Sequence, residues 1–248
     1  MKALLDKTKK QYDVIMKSPD FKHLYTDQFV SVFESDHVRN HCETLIKHSE
    51  KKSDWYTGGW SLEGSTEVWQ ESQLLHAEID KTIRESSQLS FSPFVTPPYA
   101  HYPILKYASK CLDSYLKEHP IADTDFPPFS VVEDYHIIRY KDGEAYHKTH
   151  VDYAPDASLG VVNSLTSRRH LTGVCFLTDI DEGGELVFPQ QDIKLKSKAG
   201  MFVIFPSGWT HAHHTTPPVN QTRYVFQNWC CLLYTSDAAD DTPCVDLG

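Results

Sequence analysis

His150-Val151-Asp152 places an imidazole and a carboxylate two residues apart. On an extended strand such residues project from the same face. The pair would then converge on one point while Val151 turns away. With 14 histidines in the chain, an isolated His-x-Asp arises easily by chance. It becomes a metal site only if a third ligand arrives from a distant segment, and His211, His213 and His214 are three candidates. Two histidines and one carboxylate on one face of an octahedral ion leave three positions open, the arrangement of non-haem Fe(II) oxygenases. Zinc prefers tetrahedral sites rich in nitrogen and sulfur, and no cysteine here stands at a ligand spacing. His147 also neighbours the pair; its offset of three turns it away on a strand, whereas a loop would not.

Such residues need rigid elements to hold them. From Pro127 onward, β-rich runs separated by turn signals cover 130–140, 170–177, 185–188, 193–195, 201–205 and 223–229. This is the pattern of an all-β sandwich or barrel. Gly183-Gly184 reads as a hairpin turn needing positive φ. Upstream, 1–18 reads as a helix through Leu4, Leu5, Tyr12, Ile15 and Met16, and 28–33 as a weak strand. Ser35 and Asp36 are N-cap types ahead of an apolar face of Val38, Cys42, Leu45 and Ile46. The stretch 55–70 reads as loop, with Trp55, Trp60 and Trp69 packing beneath it. After Pro93, Pro97, Pro98 and Pro103 comes a second helix, its stripe running from Ile104 to Leu116 and ending near Pro120. The expected fold is α+β with a mainly β core: a helical and loop flank over 1–125 packed on a β domain over 126–230.

Composition narrows the function classes. Hydrophobic residues make up 40% and charged residues 23% of 248, enough for a sizeable core. The net charge of −10 argues against a phosphate-tracking nucleic-acid binder. No apolar run is long enough to cross a membrane as a helix. Residues 1–19 carry five lysines and two aspartates and lack the apolar stretch of a secretory signal. The six cysteines form no CxxC pair and no disulfide spacing, which suits a reducing, cytoplasmic setting.

Several segments carry a family resemblance. The stretch Tyr140-Lys-Asp-Gly143-Glu-Ala-Tyr146-His-Lys-Thr-His150-Val-Asp152-Tyr153 resembles the first metal motif of the prolyl 4-hydroxylase-like branch of 2-oxoglutarate/Fe(II) oxygenases. Arg169 to Asp179 resembles the strand that follows it, and Glu182-Gly183-Gly184-Glu185-Leu-Val-Phe188-Pro189 the next hairpin. Trp209-Thr-His211-Ala-His213 and Thr222-Arg223-Tyr224 complete the series in order, over about 130–230.

The resemblance implies a double-stranded β-helix, or jelly roll, with Fe(II) held by His150, Asp152 and His213. His213 is the choice because the family's 2-oxoglutarate-binding basic residue lies ten positions after the distal histidine, and counting back from Arg223 reaches it. Arg223 would pair its planar guanidinium with the cosubstrate's distal carboxylate. Tyr140 falls where relatives place a hydroxyl near the cosubstrate. Phe176 falls where several carry a tyrosine; a phenyl ring cannot donate, so Thr172 is a candidate to help. The implied reaction consumes 2-oxoglutarate and O₂, releases succinate and CO₂, hydroxylates a small-molecule or peptide substrate such as peptidyl proline, and uses ascorbate to keep iron reduced. Halogenase relatives lack the carboxylate ligand, and Asp152 argues against that branch. A non-catalytic jelly-roll binding module and a cupin-type metal enzyme without 2-oxoglutarate are the alternatives. Residues 231–248 resemble a translated sequencing adaptor and are expected not to be natural sequence. Without their four aspartates the net charge of −10 becomes −6.

Overall fold

The computed structural model describes residues 20–60, 67–69, 80–153 and 165–233. The helix expected over 1–18 and nearly all of 231–248 lie outside the described residues.

The strands in chain order are β1 (Lys22–Asp27), β2 (Val30–Glu34), β3 (Tyr56–Trp60), β4 (Glu67–Trp69), β5 (Ser86–Phe91), β6 (Phe129–Ser130), β7 (Tyr135–Tyr140), β8 (Arg169–Phe176), β9 (Leu186–Phe188), β10 (Ile193–Leu195), β11 (Met201–Pro206), β12 (His214–Thr215) and β13 (Arg223–Leu232). The helices are α1 (Asp36–Glu50), α2 (Tyr102–Glu118) and the single turn α3 (Ile121–Thr124). Among the described residues the large antiparallel sheet runs β1-β2-β11-β8-β13-β7-β5-β3-β4, with β6 on the far end of β13. A small sheet, β10-β9-β12, faces it. The mostly antiparallel core and its few helices are those of a double-stranded β-helix.

Strand alternation separates two cores. One face of the large sheet turns Phe33, Leu171, Cys175, Phe202, Ile204 and Phe226 toward Val38 and Leu45 of α1 and Ile104, Tyr107, Cys111 and Tyr115 of α2. The other turns Val32, Ile138, Val174, Phe176, Val203, Phe205 and Val225 toward Leu186, Phe188, Ile193 and Leu195 of the small sheet. Even-spaced partners such as Arg223, Val225 and Trp229 therefore share the interior between the sheets, while Phe226 and Cys230 face the helices.

The helix starts follow their signals. Ser35 has extended φ/ψ and its hydroxyl accepts from the Val38 amide at 3.2 Å. Of the α2 stripe, Ile104, Ala108 and Tyr115 are buried, beside Tyr107 and Cys111, while Leu105, Leu112 and Leu116 are partly buried. Three expectations change. The weak strand over 28–33 starts later, because Gln28 and Phe29 adopt positive φ and turn the β1–β2 hairpin. The stretch 55–70 is not simply loop: β3 pairs with both β4 and β5. Its Gly, Ser and Thr content reads as turn, but pairing with β5 is a non-local effect that composition does not carry. The run over 130–140 divides into β6 and β7, and β13 continues past 229 to pair Leu232 with Phe129.

Gly183 and Gly184 take φ of +72° and +65°. A Cβ on Gly183 would stand 1.9 Å from the Pro217 carbonyl oxygen, which accepts from the Gly184 amide at 3.1 Å. Only glycine fits this crossing. At Gly143, φ is +79° but nothing lies within 4 Å of the added atom. Gly183→Ala is therefore expected to lower stability by at least about 2 kcal/mol, strain plus a backbone displacement. Gly143→Ala should lose only the backbone term of about 1–2 kcal/mol. Urea denaturation of the two variants measures the difference.

Candidate metal centre

His150 and His213 are neighbours through their backbones. The His150 amide donates to the His213 carbonyl at 2.9 Å, and the His213 amide to the His150 carbonyl at 2.8 Å. This antiparallel bridge lies outside the regular strands. The expectation of a strand at 150–152 is thus corrected: one bridge, not a ladder, fixes the local geometry. The imidazole and carboxylate still converge, with His150 Nε2 3.7 Å from Asp152 Oδ1 and His213 Nε2 4.0 Å from Asp152 Oδ2. The ligand-type atoms of the three residues lie within 4.8 Å of one another.

The outer nitrogens set the tautomers. His150 Nδ1 lies 3.1 Å from the Lys148 carbonyl, and His213 Nδ1 lies 3.0 Å from the His211 carbonyl. A carbonyl can only accept, so each Nδ1 carries the proton and each Nε2 lone pair faces the cluster. Tyr146 stacks on the His150 ring at 3.4 Å and 8°, and the Arg84 guanidinium lies 5.0 Å from the Tyr146 ring. Burial, with His213 alongside, lowers His150 to about 3, so its imidazole is neutral at ordinary pH. Burial alone would raise Asp152; the facing His213, His150 and Arg169 outweigh it and hold the carboxyl below its usual range. Two imidazole Nε2 atoms and an ionised carboxylate form a donor set that fits a divalent cation.

Asp152 is held in turn. Thr172 Oγ1 donates to Oδ2 at 2.8 Å, and Trp229 Nε1 donates to the same oxygen at 3.1 Å. Thr172 and Trp229 are register partners on β8 and β13. Oδ1 points toward His150. Arg169 donates to the Asp152 carbonyl at 3.2 Å, lies 3.6 Å from the Trp229 ring and pairs with Glu133. Thr172, read from sequence as a candidate aid to cosubstrate binding, orients the Asp152 carboxylate. Sequence reasoning missed Trp229, Arg169, Glu133 and Tyr146. Trp229 had a signal: six residues after Arg223 on one strand, it must share that face.

His211 is not part of the cluster. Its Nε2 donates to the Gln28 carbonyl at 2.8 Å, which ties it to the β1–β2 turn, and its Nδ1 meets Thr210 Oγ1 at 2.9 Å, so both nitrogens are occupied. His214 turns to Thr149 at 3.1 Å. The amides of His147 and Lys148 both reach the Ile83 carbonyl, which ties this segment to the chain before β5.

Farther along the same interior face, Arg223 stands opposite Tyr140 in the β13–β7 register. Its guanidinium carbon lies 5.3 Å from the Tyr140 and Phe176 rings. The residue is 1% exposed, and its Nε has no hydrogen-bond partner among the described residues. Burial lowers its pKa to about 10, so the charge remains. Glu185 is the nearby acid, but Thr216 and Lys194 occupy its carboxylate. Gly184 leaves room for the side chain: a Cβ there would lie 3.3 Å from Arg223 Cδ. A buried cation with an unmatched donor is costly unless an anion joins it. A carboxylate would match that donor.

Comparisons with known proteins agree with this geometry. Residues 135–231 match the family model described as the 2OG-Fe(II) oxygenase superfamily. Prolyl 4-hydroxylase 13 of Arabidopsis thaliana is 27% identical over 124 residues, 41% of this chain and 44% of that protein. Probable prolyl 4-hydroxylase 9 of the same plant is 26% identical over 134 residues, 45% of each. The chain thus matches less than half the length of these curated relatives. The viral collagen prolyl hydroxylase of Paramecium Bursaria Chlorella virus-1, solved with 2OG, superposes with a TM-score of 0.53 at 19% identity, covering 88% of this chain and 98% of that one. A Trichoplax adhaerens prolyl hydroxylase, solved with a hypoxia inducible factor peptide, gives 0.55 at 14% identity and 93% of each chain.

Co(II) titrated calorimetrically into the full chain is expected to bind at one site. His150→Ala and His213→Ala should abolish binding, and His211→Ala should retain it. Thr172→Val, which leaves Asp152 one donor short, should weaken it about 10–100-fold.

Proposed function

We propose that this chain, whose residues 135–231 match the 2OG-Fe(II) oxygenase superfamily model, is an Fe(II)- and 2-oxoglutarate-dependent dioxygenase that hydroxylates an organic substrate. His150, Asp152 and His213 are the proposed iron ligands, and Arg223 is the proposed anchor for the cosubstrate. The observation that carries the reading is Arg223: buried, cationic and lacking a partner at Nε, on the same interior face that ends at Asp152. When bound, iron with 2-oxoglutarate and O₂ supplies the oxidising chemistry, which yields succinate, CO₂ and the hydroxylated product.

The chain's own residues bind, orient and exclude water. Arg223 takes the distal carboxylate with its planar fork, and the Tyr140 and Phe176 rings wall that charge away from water. Gly184 keeps the side of the pocket open. Thr172 and Trp229 fix which Asp152 oxygen turns to the cluster. Tyr146 fixes the plane of His150. No side chain is required as a general base. Ascorbate is the proposed reductant.

Peptidyl proline is the proposed substrate. Its support is the naming of the similar proteins as prolyl hydroxylases, one of them solved with a peptide. No helix among the described residues is long and apolar enough to cross a membrane.

Purified protein supplied with Fe(II), ascorbate and 2-oxoglutarate is expected to form succinate, and proline-rich peptides should raise the rate. Arg223→Met should raise the KM for 2-oxoglutarate at least about 100-fold, the loss of a charged bidentate contact, with Co(II) binding intact. No succinate above a His150→Ala control would overturn the proposal.

A further inference from the structure

The supports of two metal ligands lead back to one strand, β5. Tyr146, stacked on His150, stands opposite Arg84 in an isolated antiparallel bridge. The Glu85 amide donates to the Ala145 carbonyl and the His147 amide to the Ile83 carbonyl, both at 2.9 Å. The segment before His150 is thus tied to the start of β5. Arg84 extends this tie with its side chain. Its guanidinium lies over the Tyr146 ring, its Nε donates to Ser86 Oγ at 3.1 Å and its Nη2 to Gln88 Oε1 at 2.8 Å.

A second path starts from Asp152. Trp229, which donates to that carboxylate, meets the His136 ring edge-on, with centroids 5.3 Å apart and planes at 70°. In register, His136 of β7 stands opposite Gln227 of β13 and Ser90 of β5. Trp229 is therefore its diagonal neighbour, a separation that aromatic side chains span. Ser90 Oγ lies 2.9 Å from His136 Nδ1, and the Ser90 and Tyr56 hydroxyls are hydrogen-bonded to each other. Gln88 Nε2 donates to the Tyr56 hydroxyl at 2.7 Å. Burial, with Arg169 and Arg84 nearby, lowers His136 to about 3, so its ring enters this path uncharged.

The two paths meet at Gln88. It is fully buried, and its partner on β7 is the apolar Ile138. Its Oε1 serves the His150 side and its Nε2 the Asp152 side. A buried amide holds its orientation only while both ends are bonded, and a fully satisfied network is rigid.

We propose that Gln88 is a positioning residue for the metal centre. It holds His150 through Arg84 and Tyr146, and Asp152 through Tyr56, Ser90, His136 and Trp229, so that the two ligands keep one separation before the ion arrives. Groups that orient metal ligands contribute to affinity without touching the metal. The inference rests on the metal-binding reading of His150, Asp152 and His213.

Co(II) titration of the full chain, followed by calorimetry and by the visible d–d band, tests it. The band reports how ligands surround the ion, which a general loss of stability leaves unchanged. Gln88→Met keeps the side chain's length and removes both polar ends; it should weaken Co(II) binding about tenfold and shift the band. Tyr56→Phe removes one hydroxyl of the circuit and should act in the same direction to a lesser degree. Cys111→Ala, a truncation in the core against the helices, is the control: it should lower the Tm and leave affinity and band at parental values. Gln88→Met with parental affinity and band would overturn the proposal; should that variant not fold, the same result from Tyr56→Phe overturns it. An equal change in Cys111→Ala would make the effect one of general stability and overturn it too. A parent chain that binds no Co(II) would overturn the metal-binding reading, and this inference with it.

Discussion

Two backbone hydrogen bonds, from the His150 amide to the His213 carbonyl and back, join segments 63 residues apart. Each bond is worth only about 1 kcal/mol net, yet together they set where both imidazoles begin. Neither histidine lies in a regular strand; the Thr215 amide to the Tyr146 carbonyl and the Tyr153 amide to the Ser207 carbonyl tie the same segments on either side. The side-chain bonds to the Lys148 and His211 carbonyls then fix the tautomers. The geometry of the cluster thus depends on main-chain contacts, and the side chains inherit it.

The cluster also depends on a charge balance that the fold must maintain in a nearly dry interior. Asp152 stays ionised with the Arg169 cation nearby and two neutral donors, Thr172 and Trp229, bonded to it. Arg169 is itself matched by Glu133. Arg223 differs: its guanidinium sits among aromatic rings with a donor unmatched. The native protein thus neutralises one end of the interior and leaves the other open to an anion. That asymmetry separates a binding pocket from a structural ion-pair network.

Much of this arrangement was legible in the sequence, for different reasons at different places. The short β-runs and the α1 and α2 stripes follow from periodicity and capping, both local effects, and Ser35 and Ile104–Leu116 show them directly. The convergence of His150 with Asp152 follows from an offset of two, although the element is a bridge. His213 was reached only by counting from Arg223. What could not be read was non-local. The pairing of β3 with β5 overrode a loop-like composition. The bond of Thr172 to Asp152 could not be read because it is set by the β8–β13 register, which aims both Thr172 and Trp229 at Asp152.

The central claim is that one interior face binds a metal at the His150–Asp152–His213 end and a dicarboxylate at the Arg223 end. Anaerobic titration with Fe(II) and then 2-oxoglutarate, followed by visible absorption, tests it most directly. The expected result is a metal-to-ligand charge-transfer band that needs both components, saturates at one equivalent of each and is absent in His150→Ala. A full complement of bound Fe(II) that gives no such band at saturating 2-oxoglutarate would contradict the account.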